Sequence, residues 1–278
     1  MPRILIAGCG YVGEAAADRF HDAGWEVEGW TASAESAARL SGKPFTVRAV
    51  DVTAAVGPGS FDVVIYCVSS RGGDEHEYRL LYFEGAKNLL RAFPDATLLF
   101  TSSTSVYAQI DGSPVDETSP AEPRHPKGRI LRETEDLGLA AGGIVARLGG
   151  IHGPGRSFFL TRFLEGAISD HDDRLINQVH RDDVVSALQF LVDRRNEFQR
   201  QVFNVVGDEP ITSAEAVTWL RARVGTGRSA TGGTLRPSKR GRTDKRVSNG
   251  KLRALGWAPR YPTFQAAMSE SILPSFGF

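Results

Sequence analysis

Cysteine is scarce in this chain: Cys9 and Cys67 are the two in 278 residues, too few for a disulfide-stapled scaffold. Both fall at the ends of predicted strands, where a bridge would obstruct the loop described below, so both are read as reduced, small buried hydrophobes. No metal site is expected. An excess of one charge is also lacking, since Lys+Arg and Asp+Glu number 33 each. That balance gives no overall field to draw nucleic acid or an anionic membrane. No apolar run approaches the length needed to span a bilayer. The first strand pattern begins at Ile4 with no leader-like stretch before it, so the expectation is a soluble, cytoplasmic protein. Internal repeats and compositional tails are missing too.

What is present begins at residue 4. Ile4-Leu5-Ile6-Ala7 has the length and branching of a buried parallel strand, and it runs into Gly8-Cys9-Gly10-Tyr11-Val12-Gly13 and then a helical pattern over Glu14–Ala23. A glycine at each of the three positions serves a different need: a tight turn at Gly8, close backbone approach to a pyrophosphate at Gly10, and close helix–strand packing at Gly13. The helix N-terminus adds unpaired N–H groups and a partial positive charge. Gly8, Gly10, Tyr11, Val12 and Gly13 are therefore candidate cofactor-binding residues.

Strand and helix patterns then alternate. Strands are expected at Glu26–Trp30, Phe45–Val50, Val63–Val68, Leu98–Thr101 and Ile144–Leu148. Helices are expected at Ala34–Leu40, Tyr78–Phe93 and Pro126–Leu139, the last with proline at its first position. The alternation predicts an α/β fold, a doubly wound parallel sheet covered on both faces.

The end of the second strand selects the dinucleotide, because a carboxylate there grips the adenosine ribose and repels a 2′-phosphate. Trp30-Thr31-Ala32-Ser33 carries no acid, which leans slightly to NADP over NAD; no Arg or Lys stands in those positions either. Thr31 and Ser33 are cofactor candidates on this ground. Asp51 and Val52, at the end of the third strand, suit an adenine, with a turn cap as the equal alternative for Asp51. Val68, Ser69 and Leu148 complete the cofactor set.

Further motifs carry a family resemblance: Thr101-Ser102-Ser103-Thr104-Ser105-Val106-Tyr107, Val115-Asp116-Glu117-Thr118-Ser119-Pro120, Arg147-Leu148-Gly149-Gly150-Ile151-His152-Gly153-Pro154-Gly155-Arg156 and Asn177-Gln178-Val179-His180-Arg181-Asp182-Asp183-Val184. Phe203-Asn204-Val205-Val206 and Arg246-Val247-Ser248-Asn249 follow. With the glycine loop, these resemble the extended short-chain dehydrogenase/reductases, the nucleotide-sugar epimerases and dehydratases among them, and most closely the atypical branch that lacks the Tyr-x-x-x-Lys pair. The resemblance implies a Rossmann-type dinucleotide domain over residues 1–155 and 177–210, with a small substrate domain from 156–176 and 211–278. It also implies a nucleotide-linked sugar or another small polar substrate, and a homodimer through the two helices Tyr78–Phe93 and Pro126–Leu139.

One departure bears directly on activity. Matching Gly128 and Glu135 to the family's helix puts Lys127 where the acid/base Tyr belongs and Leu131 where its Lys belongs. A leucine cannot stabilise a phenolate or hold a ribose. Ser103 still fits the family's hydroxyl position, and Lys127 or Tyr107 are the candidate replacements for proton transfer, each with a bland alternative as a solvated or packing residue. Arg156, Asn177, His180 and Arg246 match positions that receive the nucleotide diphosphate, although His180 equally suits a purely structural join. Gly225–Lys245, with Lys239, Arg240, Arg242 and Lys245, reads as a solvated basic loop, with a lid over an anionic substrate as the alternative.

Two functions stay open on these residues. One is an NAD(P)-dependent oxidoreductase or epimerase-type enzyme with an altered acid/base set. The other is a non-catalytic protein that senses NADP(H). Nucleic-acid binding is disfavoured, because the basic stretch has no interleaved aromatics.

Overall fold

The computed structural model describes residues 1–70, 72–168, 172–225 and 244–278. The chain divides into two compact units: Met1–Val106, Glu122–Arg147 and Val185–Phe203 form the first, and Tyr107–Ala121, Leu148–Val184 and Asn204–Phe278 the second.

The first unit is built on β1 (Arg3–Ala7), α1 (Tyr11–Asp22), β2 (Glu26–Thr31), α2 (Ala34–Ala38), β3 (Thr46–Ala49), β4 (Val63–Tyr66), α3 (Glu75–Arg79), α4 (Gly85–Ala92), β5 (Thr97–Ser103) and α5 (Pro126–Ala140). The central sheet has seven strands in the order Val202–Val205, Ile144–Leu148, β5, β4, β1, β2, β3. β1 pairs in parallel with β2 on one side and β4 on the other, so the chain order reverses between β1 and β4. Ile4, Leu5, Ile6 and Ala7 are fully buried, as are Val63, Ile65 and Tyr66. Strands apolar on both faces belong at the centre of a sheet covered by helices, which is the doubly wound architecture the alternation predicts.

The helical pattern over Tyr78–Phe93 is interrupted. Leu80–Glu84 forms a π-helical turn between α3 and α4, in which the Gly85 N–H reaches back to the Leu80 carbonyl. The Tyr66 hydroxyl, rising from β4, donates to the bypassed Leu81 carbonyl. A side chain inserted into the helical ladder is the cause of the bulge, and apolar spacing alone could not announce it. α2 is also shorter than expected and ends at Ala38.

In the second unit, Ile110–Val115 pairs in parallel with Asp244–Val247, and Gly150–His152 with Gln178–His180. Leu175–Ile176 runs antiparallel to Ile211–Thr212. Its core gathers Phe159, Leu160 and Phe163 against Val217, Leu220, Phe264 and Met268.

Candidate functional site

The glycine loop lies where β1 meets α1. Gly8 has φ +106°, and a β-carbon there would stand 2.6 Å from both the Cys67 carbonyl carbon and the Val68 nitrogen. At Gly13 it would collide with the Gly8 carbonyl oxygen. A β-carbon at Gly10 would meet nothing within 4 Å. Two of the glycines are thus required by the protein's own backbone, while the middle one faces open space. Gly10 precedes α1 as a cap with no side chain, so the first turn of the helix offers backbone donors and the positive end of its dipole to that space. This cradle fits a pyrophosphate.

Burial holds the thiols on either side in the neutral form. Burial pushes the Cys9 thiol up to about 12 and raises Cys67 further still. Both are free, and the Cys67 thiol donates to the Gly8 carbonyl at 3.3 Å.

At the end of β2, Thr31 is buried and its hydroxyl donates to the Ser33 carbonyl at 3.1 Å, while Ser33 caps α2 by accepting from the Ser36 N–H. The Arg39 guanidinium donates to the Ser36 hydroxyl at 3.1 Å, and the Ser33 and Ser36 hydroxyls are themselves 3.1 Å apart. A basic group therefore does stand beside this strand end. It was missed by reading only Thr31–Ser33; the i, i+3 spacing from Ser33 to Ser36 to Arg39 is the signal that finds it. Asp51 acts as a turn cap, one carboxylate oxygen accepting from the Thr53 N–H at 2.9 Å and its hydroxyl at 2.7 Å. Val52 is buried beside it, Val68 is half-buried and Ser69 exposed.

On α5, His125 caps the helix by accepting from the Lys127 N–H, and Pro126 follows at the first position. The Lys127 ammonium donates to the Gly73 carbonyl at 2.6 Å and lies 5.4 Å from the Tyr78 ring centroid. Leu131 is buried. Ser103 is half-buried at the end of β5, its hydroxyl accepting from the Ser105 N–H at 3.2 Å. Beneath this end of the sheet, Glu135 is fully buried and receives both the Arg147 guanidinium, at 2.7 Å, and the Ser102 hydroxyl, at 2.6 Å.

In the second unit the Tyr107 hydroxyl is fully buried and donates to the Asn204 side-chain carbonyl at 2.9 Å. Asn177 spends both ends of its amide on the Asp244–Val247 strand, donating to the Lys245 carbonyl and accepting from the Val247 N–H. His180 is buried with Nδ1 accepting from the Asp182 N–H and Nε2 facing the Ser271 hydroxyl at 2.9 Å. Burial pushes it down to about 4, and His152 beside it to about 3. Arg156 and Arg246 are exposed.

Lys245 corrects the reading of a solvated basic loop. It is 2% exposed, and its ammonium donates to the Tyr107 carbonyl at 2.9 Å. Burial pushes it down to about 8. The strand pairing of Asp244–Val247 with Ile110–Val115 turns Lys245 and Val247 to the buried face, a pairing not visible in composition. Lys239, Arg240 and Arg242 lie outside the described residues. Among the described residues no cluster of His, Cys, Asp or Glu could hold a metal, and no helix is long and apolar enough to cross a membrane.

A parallel sheet whose order reverses beside a glycine-lined phosphate cradle defines a doubly wound, dinucleotide-binding type of protein. The chain belongs to the NAD-dependent epimerase/dehydratase family, whose model matches residues 4–206. It is 29% identical over 238 residues to protein YeeZ of Escherichia coli K12, covering 76% of this chain and 86% of that protein. Among solved structures it resembles a Methylobacillus flagellatus protein assigned to the NAD-dependent epimerases/dehydratases, with TM-score 0.81 and 27% identity over 100% of this chain and 99% of that one. It shares its fold with the UDP-glucose 4-epimerase of Thermotoga maritima, solved with UDP-glucose, at TM-score 0.81 and 15% identity over 99% and 98% of the two chains. The dTDP-glucose 4,6-dehydratase of Streptomyces venezuelae, solved with NAD, gives TM-score 0.82 at 17% identity over 99% and 97%.

Proposed function

We propose that this chain binds a nicotinamide dinucleotide, NADP in preference to NAD, and acts with it as an oxidoreductase or epimerase-type enzyme on a nucleotide-linked sugar or similar polar substrate. The cradle at Gly8–Gly13 is the observation that carries the reading, because two glycines there are forced by backbone contacts while Gly10 keeps an open approach. Arg39, with Ser33 and Ser36, supports the NADP preference: a guanidinium and two hydroxyls suit a 2′-phosphate. Asp51 and Val52 would serve the adenine, and Val68 and Ser69 the half of the dinucleotide beyond β4. Leu148 stays a cofactor candidate on sequence grounds.

When bound, the dinucleotide supplies hydride acceptance and return. The chain's own part is to hold it, exclude water and handle a proton, for which Ser103, Lys127 and Tyr107 are the candidates. Exposed Arg156 and Arg246 suit a diphosphate; Asn177 and His180 would support that face through the strands they fasten. A cytoplasmic homodimer is part of the same reading.

A second reading, a non-catalytic NADP(H) sensor, is favoured by a specific observation. The Lys127 ammonium and the Tyr107 hydroxyl are both committed to other groups, and Leu131 is buried in place of a lysine. The deciding experiment incubates the protein with NADP or NAD and a panel of UDP- and dTDP-sugars, following nicotinamide absorbance and products. Turnover that falls by about two to four orders of magnitude in Lys127→Ala supports the enzyme with Lys127 as its proton-transfer group. Dinucleotide binding without turnover of any sugar nucleotide supports the sensor.

A further inference from the structure

The Lys127 ammonium is held in a fixed place by two uncharged groups. It donates to the Gly73 carbonyl at 2.6 Å and lies over the Tyr78 ring, which in turn packs at a tilt on Tyr82 with centroids 4.3 Å apart. The Tyr82 hydroxyl accepts from the Ser70 N–H, so the same cluster fastens the segment leaving β4. Among the described residues neither partner of the ammonium carries a formal charge, and the side chain is half-buried. Its positive charge is therefore localised; the Glu77 carboxylate, engaged by the Asp74 N–H at 3.0 Å, packs against Gly73 and offsets that charge only in part, which leaves it reach at short range.

The place of that charge has a chemical meaning. In a doubly wound sheet the dinucleotide lies across the C-terminal strand ends, at the point where the strand order reverses. Here that point lies between β1 and β4. The adenosine half belongs over β1, β2 and β3, and the nicotinamide half over β4 and β5. Ser70 and Gly73 belong to the segment that leaves β4, and the Gly73 carbonyl holds Lys127, which puts the ammonium on the nicotinamide side. The nicotinamide ring is a cation when oxidised and neutral when reduced.

We infer that Lys127 is a redox-state selector: its fixed ammonium disfavours the oxidised, cationic nicotinamide and biases the site toward the reduced dinucleotide. The inference rests on the dinucleotide reading above and holds whether the chain is an enzyme or a sensor. It gives a role to a lysine in the position where the resemblance expects a tyrosine, and it requires no proton transfer.

The test is calorimetric titration of the oxidised and reduced forms of NADP and NAD into the wild type, Lys127→Met and Lys127→Arg. The wild type is expected to prefer the reduced form, and Lys127→Met to shrink that preference about tenfold, chiefly by tightening the oxidised form, the size that one unit charge gives in a partly solvated site. Lys127→Arg, which keeps the charge, is expected to restore most of it. A measurement on the wild type alone gives the same answer: the preference should weaken as salt rises. A preference unchanged in Lys127→Met and indifferent to salt, in a protein that binds both forms, overturns the inference alone. Absence of binding by either form overturns the dinucleotide reading and this inference with it.

Discussion

The Gly8 backbone is closed in by that of Cys67: a β-carbon on Gly8 would stand 2.6 Å from the Cys67 carbonyl carbon, and the Cys67 thiol already donates to the Gly8 carbonyl at 3.3 Å. The loop is thus a three-way contact between β1, α1 and the end of β4. Gly8→Ala also forces an L side chain to φ +106°. The variant is expected to lose about 3 kcal/mol of stability or more, read as a drop in the urea midpoint. A midpoint equal to wild type would show that the loop relaxes freely and that the contact is not rigid.

Glu135 is a fully buried acid of the first unit, with Arg147, Ser102 and Arg132 all on its carboxylate. Removing Arg147 leaves the buried carboxylate only the longer ion pair to the half-buried Arg132, at 3.3 Å. Arg147→Met is expected to cost about 3–5 kcal/mol, whereas Ser102→Ala should cost about 1–2 kcal/mol. Comparable losses for the two variants in denaturant titrations would contradict this ordering.

Lys245 makes a pH-dependent prediction. Its pKa falls from 10.5 to about 8 on folding through burial alone. Between those values the unfolded chain binds more protons than the folded one, so stability from this group rises with pH over that window, and the full penalty is present below it. Lys245→Met removes the penalty. Its stability relative to wild type should be greatest at pH 7 and decline by about 2 kcal/mol by pH 10. A difference independent of pH would mean that Lys245 titrates normally in the folded chain.

Arg39 is expected to set the choice of dinucleotide. Arg39→Ala should weaken NADP about tenfold or more and leave NAD nearly unchanged, because only the former carries the 2′-phosphate. Equal losses for both cofactors, by titration, would place the guanidinium elsewhere.

The central strands and the glycine loop were legible because local sequence dictates them. Ile4–Ala7 is apolar throughout, and the glycine spacing that follows is tied to a single turn geometry. What escaped depended on contacts distant in sequence. The π-helical turn exists because Tyr66 reaches Leu81, the Lys127 ammonium is set by Gly73, and Lys245 is buried by a strand pairing with Ile110–Val115. None of these leaves a periodic trace. Arg39 lay nearer to hand, one helical turn from Ser36, but outside the strand end that is usually inspected.

The most direct test of the dinucleotide site is titration calorimetry on Gly10→Asp. Nothing lies within 4 Å of a β-carbon at Gly10, so the variant should fold, with an unchanged circular-dichroism spectrum and melting curve. Its carboxylate would then occupy the space before the first turn of α1, where the two phosphates must approach the backbone donors. The expected result is measurable NADP binding by the wild type and none by the folded variant. A folded Gly10→Asp protein that binds NADP as tightly as the wild type would contradict the assignment of this loop as the phosphate cradle.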